Sequence, residues 1–290
     1  MHFVQIETAA ANNVEHFDIV ESIVQQAEQS AAEKDIRDTE DADQTGTAES
    51  SEENQSEEQA DAAETTVSST GMNVLNLEHI SKVYGDKVIF DDISCGIHQG
   101  DKIGIIGING TGKTTFLKIL AGLEEADEGQ VITQNGLRIT YLPQHPEFPK
   151  DATILSYVTQ GQKDQNWNPE TEAHMILNRL GIEDHEEEIE HLSGGQKKRV
   201  ALAAVLANPT DVLILDEPTN HLDNEMAAWL EDYLNRFKGV VIMVTHDRYF
   251  LDRVTNKILE ISHGKLYSYE AKYSDFLEMK AQREEMEMAS

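Results

Sequence analysis

The chain has 290 residues, 39% of them hydrophobic, enough to bury one good core in one or two domains. Its formal net charge of −31 speaks against a default reading as a nucleic-acid binder, because holding a phosphate backbone depends on Lys and Arg displacing counterions. Cys95 is the only cysteine, which excludes an intrachain disulfide and any cysteine-based zinc cluster, and no apolar run approaches the roughly 18 residues of a membrane span. With no Lys/Arg-rich leader either, a reducing cytoplasm is the expected location.

The acidity is uneven. Residues 1–71 carry 18 Asp and Glu against Lys34 and Arg37, a net of −16, which leaves −15 for residues 72–290. Between residues 38 and 66 no apolar side chain is larger than alanine, so nothing there offsets the entropy of ordering the chain, and the extension is expected to be mostly disordered. Phe17, Val20 and Val24 fall at helical spacing with Ile23 alongside, which predicts a short amphipathic helix over 14–28. Met72 stands immediately before the folded part, an alternative translation start that would make 1–71 an upstream extension.

Residues 74–80, 88–90 and 93–98 are short β-branched or alternating runs that predict an antiparallel sheet. A compact strand at 102–106, a glycine-rich turn at 107–112 and a helix at 113–121 follow. Residues 211–215 and 239–244 read as buried strands with a helix at 226–237 between them, the pattern of a parallel α/β core. Helices are expected at 171–180 and 197–206, within a small helical subdomain at about 146–207. Lys197, Lys198 and Arg199, after a Gly-Gly turn, read as a solvated or internally bonded cluster. Strands at 257–261 and 265–269 and a charged helix from about 274 complete the pattern.

Chemistry concentrates in five motifs in a fixed order: Gly107 to Thr114, Gln144, Leu192 to Gln196, Leu213 to Pro218, and Thr245 to Asp247. A nucleoside triphosphate carries up to four negative charges, and glycines at 107, 110 and 112 allow consecutive backbone N–H groups to face it as a nest, reinforced by the positive end of the next helix. Lys113 is then placed for the β- and γ-phosphates and the Thr114 hydroxyl for Mg²⁺. Asp216, ending an apolar strand, is suited to hold the metal through water, and Glu217 to polarise the attacking water. Standing alone, such an acidic pair would be a helix cap, and a His after a strand would be structural. In this company His246 is placed to contact the γ-phosphate and steady the water.

Over about residues 73–270 these motifs closely resemble the ATP-binding cassette (ABC) family, a P-loop NTPase fold with an antiparallel β subdomain and a small helical subdomain. The resemblance implies a Walker A loop of Gly107, Ile108, Asn109, Gly110, Thr111, Gly112, Lys113, Thr114 and Thr115. It further implies Gln144 as the Q-loop and a metal ligand, and Ser193, Gly194, Gly195 and Gln196 as the signature. Asp216 and Glu217 become the Walker B aspartate and catalytic glutamate, residues 220–223 the D-loop, and His246 the switch histidine. Tyr84 matches the aromatic that stacks on adenine. It also implies that one chain cannot complete its site, since two cassettes pack head to tail and the signature of one covers ATP bound by the other. That second cassette would come from a homodimer or another chain.

The wording at 217–223 and 245–252 resembles the ABC-F branch, proteins without transmembrane partners, and 265–277 resembles the start of the linker that joins two ABC-F cassettes. Residues 271–290 are therefore expected to begin that linker, with a fragment, a split gene or a homodimer as explanations for the missing second cassette. Only 48 residues separate Gln144 from Ser193, little for the extra arm of many ABC-F members. The leading expectation is a Mg²⁺-dependent ATPase whose dimer closure acts on the ribosome. The alternatives are the nucleotide-binding subunit of a membrane transporter and a catalytically weak half that serves as a binding module.

Overall fold

The computed structural model describes residues 72–108, 110–160 and 169–289, all within the unit spanning residues 67–290. The predicted helix at 14–28, the expected disorder of the acidic extension, and Asn109 lie outside the described residues.

Strands β1 (Asn73–Tyr84) and β2 (Lys87–His98) form an antiparallel hairpin, joined on the other edge of β1 by β4 (Glu128–Thr133). The larger sheet runs β5-β6-β7-β3-β8-β9. Strands β5 (Ile139–Leu142), β6 (Val212–Asp216), β7 (Val240–Val244), β3 (Lys102–Ile106) and β8 (Lys257–Ser262) are parallel, while β9 (Lys265–Tyr269) closes the edge antiparallel to β8.

The apolar runs are continuous because both faces of the parallel strands are covered. Val212, Ile214, Val240 and Ile242 face one core, shared with the three-stranded sheet and with helix α1 (Lys113–Leu120) through Leu77, Ile97 and Phe116. Leu213, Leu215, Val241 and Met243 point the other way, toward α2 (Ile154–Val158), α3 (Pro169–Arg179), α4 (Gly194–Ala207), α5 (Asn224–Arg236) and α6 (Arg248–Val254). Local chemistry sets where these helices start. Thr153, Ser193, Asp223 and Asp247 each accept a backbone N–H of the first turn as N-caps. Helix α7 (Tyr273–Ala289) packs Phe276 against Ile258 and Tyr269.

Three details depart from the sequence reading. Strands β4 and β5 were not expected: β4 has only Val131 partly buried, so it shows no alternation, and β5 is four residues long. Helix α6 was also unassigned. Gly194 and Gly195 do not form a turn ahead of the helix; they are the first two residues of α4, which Ser193 caps.

Candidate functional site

Parallel pairing brings the C-terminal ends of β3, β6 and β7 side by side, and each continues directly into one motif. After β3 comes the glycine loop. Gly107 is required by close approach, since a Cβ there would meet Thr111 Oγ1 at 2.6 Å and the Ile261 carbonyl at 2.8 Å. Gly112, at φ +100°, caps α1 without any side-chain bond, which leaves the first-turn N–H groups of α1 to the loop's concavity. Lys113 bends back so that its ammonium donates to the Gly107 carbonyl. Burial pushes that ammonium below the ordinary lysine value, opposed by Glu217 and Asp216.

Across the loop, Thr114 Oγ1 donates to Asp216 Oδ2 at 3.1 Å. Asp216 is 3% exposed at the end of β6. Desolvation raises its carboxyl above the usual range, while the Thr114 hydroxyl and Lys113 draw it down. Glu217 adopts φ +55°, a left-handed conformation that non-glycine residues seldom hold, and its N–H donates to Val244 O at 2.7 Å. Its carboxyl, also raised by burial, receives the His246 backbone N–H at 3.3 Å and lies 3.2 Å from His246 Nε2. Lys113, Thr114, Asp216, Glu217 and His246 thus form one cluster of a cation, a hydroxyl, two buried carboxyls and an imidazole.

Of the other predicted residues outside the glycine loop, Tyr84 is tied to that loop, and the rest lie on other elements. Tyr84, 46% exposed, sits at the β1–β2 hairpin with its hydroxyl 3.4 Å from Thr115 Oγ1 and bonded to the Glu124 carboxylate. Desolvation and that bond hold its phenol above the ordinary value. Ile108 and Gly110 are exposed, and Gln144 is exposed in the turn after β5. Ser193 and Gln196 form a reciprocal capping box: Gln196 N–H donates to Ser193 Oγ at 3.2 Å, and Ser193 N–H to Gln196 Oε1 at 2.9 Å. Ser193 and Gly194 face outward.

Sequence reasoning did not find Glu124, Lys87, Arg248 or Tyr273. Lys87 donates to Gly110 O at 2.5 Å, and Arg248 and Tyr273 line a small cavity with Gly107, Lys113 and His246. Lys87 reaches the loop from the hairpin and Tyr273 from the start of α7, Glu124 lies in the stretch after α1, and Arg248 opens α6 two residues beyond His246.

Residues 90–220 match the family described as ABC transporter. The chain is 43% identical over 251 residues to the uncharacterized ABC transporter ATP-binding protein YfmR of Bacillus subtilis, covering 73% of this chain and 40% of that protein. It is 36% identical over 257 residues to the energy-dependent translational throttle protein EttA of Haemophilus influenzae, covering 75% and 46%. The chain belongs to the ATP-binding cassette ATPases. Its curated relatives share the ABC-F resemblance drawn from the motifs, and the chain spans only about 40–46% of their length. Among solved structures, the cassette resembles the ATP-binding subunit of an ABC transporter (TM-score 0.62, 21% identity, 68% of this chain and 90% of that one). It also resembles a dimeric cassette in a post-hydrolysis state bound to ADP and Pi (TM-score 0.59, 24% identity, 68% and 99%). Among the described residues, no helix of the cassette is long and apolar enough to cross a membrane.

Proposed function

We propose that this cassette binds ATP with Mg²⁺ and hydrolyses it, that closure against a second cassette completes its site, and that its partner is the translating ribosome. One observation carries the chemical part: the Thr114–Asp216 contact at 3.1 Å beside the Glu217–His246 contact at 3.2 Å, on adjacent strand ends under a glycine loop. Thr114 and Asp216 offer hard oxygen donors, the set that magnesium takes, and Gln144 supplies a further amide oxygen from the turn after β5. The cation, when bound, neutralises charge on the phosphate oxygens.

The chain's own residues do the rest. The loop N–H groups from Gly107 to Thr115 and the start of α1 hold the phosphates, and Lys113 leaves the Gly107 carbonyl to pair with them. The Tyr84 ring offers a face to adenine. Glu217 aligns the attacking water and accepts its proton, and His246, fixed against the same carboxylate, steadies water and γ-phosphate. Ser193, Gly194, Gly195 and Gln196 present a helix N-terminus outward, with the chemistry to cover ATP held by a second cassette.

The translational part rests on the EttA relatives, named as energy-dependent translational throttle proteins, and on the motif sequences at 217–223 and 245–252. The test is Glu217→Gln. Turnover should fall by about 100-fold or more, and the protein should migrate at twice its mass in MgATP only. Retained turnover rejects the role of Glu217. ATP-dependent cosedimentation with ribosomes supports the partner, whereas copurification with a membrane protein assigns the cassette to a transporter.

A further inference from the structure

Lys87 has no role in the reading above. It is the cross-strand partner of Tyr84 at the end of the β1–β2 hairpin, with only Gly85 and Asp86 between them. Side chains directly opposite one another in an antiparallel pair leave the same face, so the hairpin sends an aromatic ring and an ammonium to one side. The Tyr84 hydroxyl ends 3.4 Å from Thr115 Oγ1, and the Lys87 ammonium donates to the Gly110 carbonyl at 2.5 Å. The hairpin tip therefore meets the phosphate site at two points, one inside the glycine loop and one in the first turn of α1.

A lysine ammonium has three protons to donate. Gly110 takes one, and among the described residues no carboxylate stands within ion-pairing distance of Lys87. The side chain is exposed, so two donors and an uncompensated charge remain at the mouth of the loop.

A nucleotide supplies the missing anion. Covalent bonds fix its order as base, ribose, α-, β- and γ-phosphate. With adenine on the Tyr84 ring and the β- and γ-phosphates at Lys113, the α-phosphate lies between the hairpin and the loop, the span that Lys87 crosses.

We infer that Lys87 is a nucleotide-binding residue whose ammonium keeps the Gly110 carbonyl and gives a second proton to the α-phosphate. This rests on the reading in which the glycine loop holds ATP. Lys113 answers to the β- and γ-phosphates, whereas Lys87 answers to a group that ATP, ADP and AMP share. It adds affinity without telling ATP from ADP, so the product is held by it as firmly as the substrate.

The test compares wild type, Lys87→Met and Lys87→Arg in the full chain. Affinities for ATP, ADP, AMP and adenosine are measured by competition against a fluorescent ADP analogue, with thermal unfolding alongside. One charge-assisted hydrogen bond at an exposed site should cost about 5- to 20-fold in Lys87→Met, by the same factor for ATP, ADP and AMP. Adenosine has no phosphate and should bind to within about twofold of wild type. Lys87→Arg keeps charge and donors and should recover affinity to within about threefold.

The AMP and adenosine arms separate contact from support. A lysine that only braced the hairpin would move Tyr84 when removed, and adenosine would weaken too. One that only braced the loop would weaken ATP and ADP and spare AMP, which has no β- or γ-phosphate for the loop to hold. Either pattern, or unchanged ADP affinity in Lys87→Met, overturns the proposal. Should Lys87→Met fail to fold, Lys87→Gln decides by the same criteria. Wild-type protein that binds no adenine nucleotide removes the reading beneath, whereas wild-type ADP binding that Lys87→Met leaves intact sinks this inference alone.

Discussion

Replacing Gly112 with alanine should strike the fold and the phosphate loop together. The residue sits at φ +100°, and an added Cβ would lie 2.3 Å from Ile89 Cγ2 and 3.2 Å from Phe90 Cζ. Neither neighbour can retreat easily, because Ile89 is 5% and Phe90 1% exposed in the core between the two sheets. Left-handed backbone costs a non-glycine residue about 1–2 kcal/mol, and overpacking of a tight core about 1–3 kcal/mol, giving about 2–5 kcal/mol in all. Gly110→Ala supplies the control. It has φ +79°, but its Cβ would meet only the mobile end of Lys87 at 3.3 Å, so it should cost only the backbone share of about 1–2 kcal/mol. Urea denaturation of the two variants, with equilibrium ATP binding in parallel, isolates the clash as their difference. If the loop lifts to relieve Gly112→Ala, stability is spared and affinity drops instead. Equal stability and equal affinity for the two variants would refute the reasoning.

Lys113→Ala should weaken ATP binding about 10- to 100-fold, the worth of a charge-assisted hydrogen bond, and unchanged binding in a fluorescent nucleotide titration would remove Lys113 from the phosphate site. Lys102 is buried, with its ammonium on the carbonyls of Phe237 and Gly239 at 2.5 and 2.9 Å, and burial pushes it down to about 8. The unfolded chain, near 10.4, holds that proton more tightly, so its contribution to stability rises from about pH 8 to about pH 10.4, and the penalty is fully present below pH 8. Lys102→Met should remove that slope in urea melts at pH 7 and pH 10, and an unchanged slope contradicts the assignment. Glu260, 4% exposed on β8, binds Lys280 Nζ at 2.9 Å, Arg283 at 3.1 Å and the Tyr269 hydroxyl at 3.1 Å. Glu260→Gln should loosen α7 by about 2 kcal/mol, less than a fully buried pair because Lys280 reaches water. Hydrogen exchange should therefore quicken over residues 273–289 while the parallel strands stay protected.

What could be read directly followed from local demands. Continuous apolar runs at 211–215 and 239–244 announce strands covered on both faces. The glycines at 107, 110 and 112 are legible because a tight approach and positive φ admit almost nothing else. Strand β4 stayed hidden for the opposite reason: its side chains are mostly in water, and backbone bonds to β1 alone define it. In the first turn of α4 two glycines look like a break, yet the Ser193-x-x-Gln196 spacing is itself the local pattern of a capping box that starts a helix there.

The sequence by itself determined the layer type, the loop that suits phosphate and the residue types able to serve a triphosphate, since each depends on a few neighbouring positions and the backbone they permit. Only the tertiary structure decided the strand order β5-β6-β7-β3-β8-β9, which sets Thr114 against Asp216 across 102 positions of chain and Thr219 against Thr245 across 26. It likewise put Tyr84 beside Glu124 and buried Lys102 and Glu260 among groups far along the chain. Such pairings are chosen by the packing of whole sheets, where a side chain's partner depends on which strand lies alongside, and no short stretch of residues carries that information.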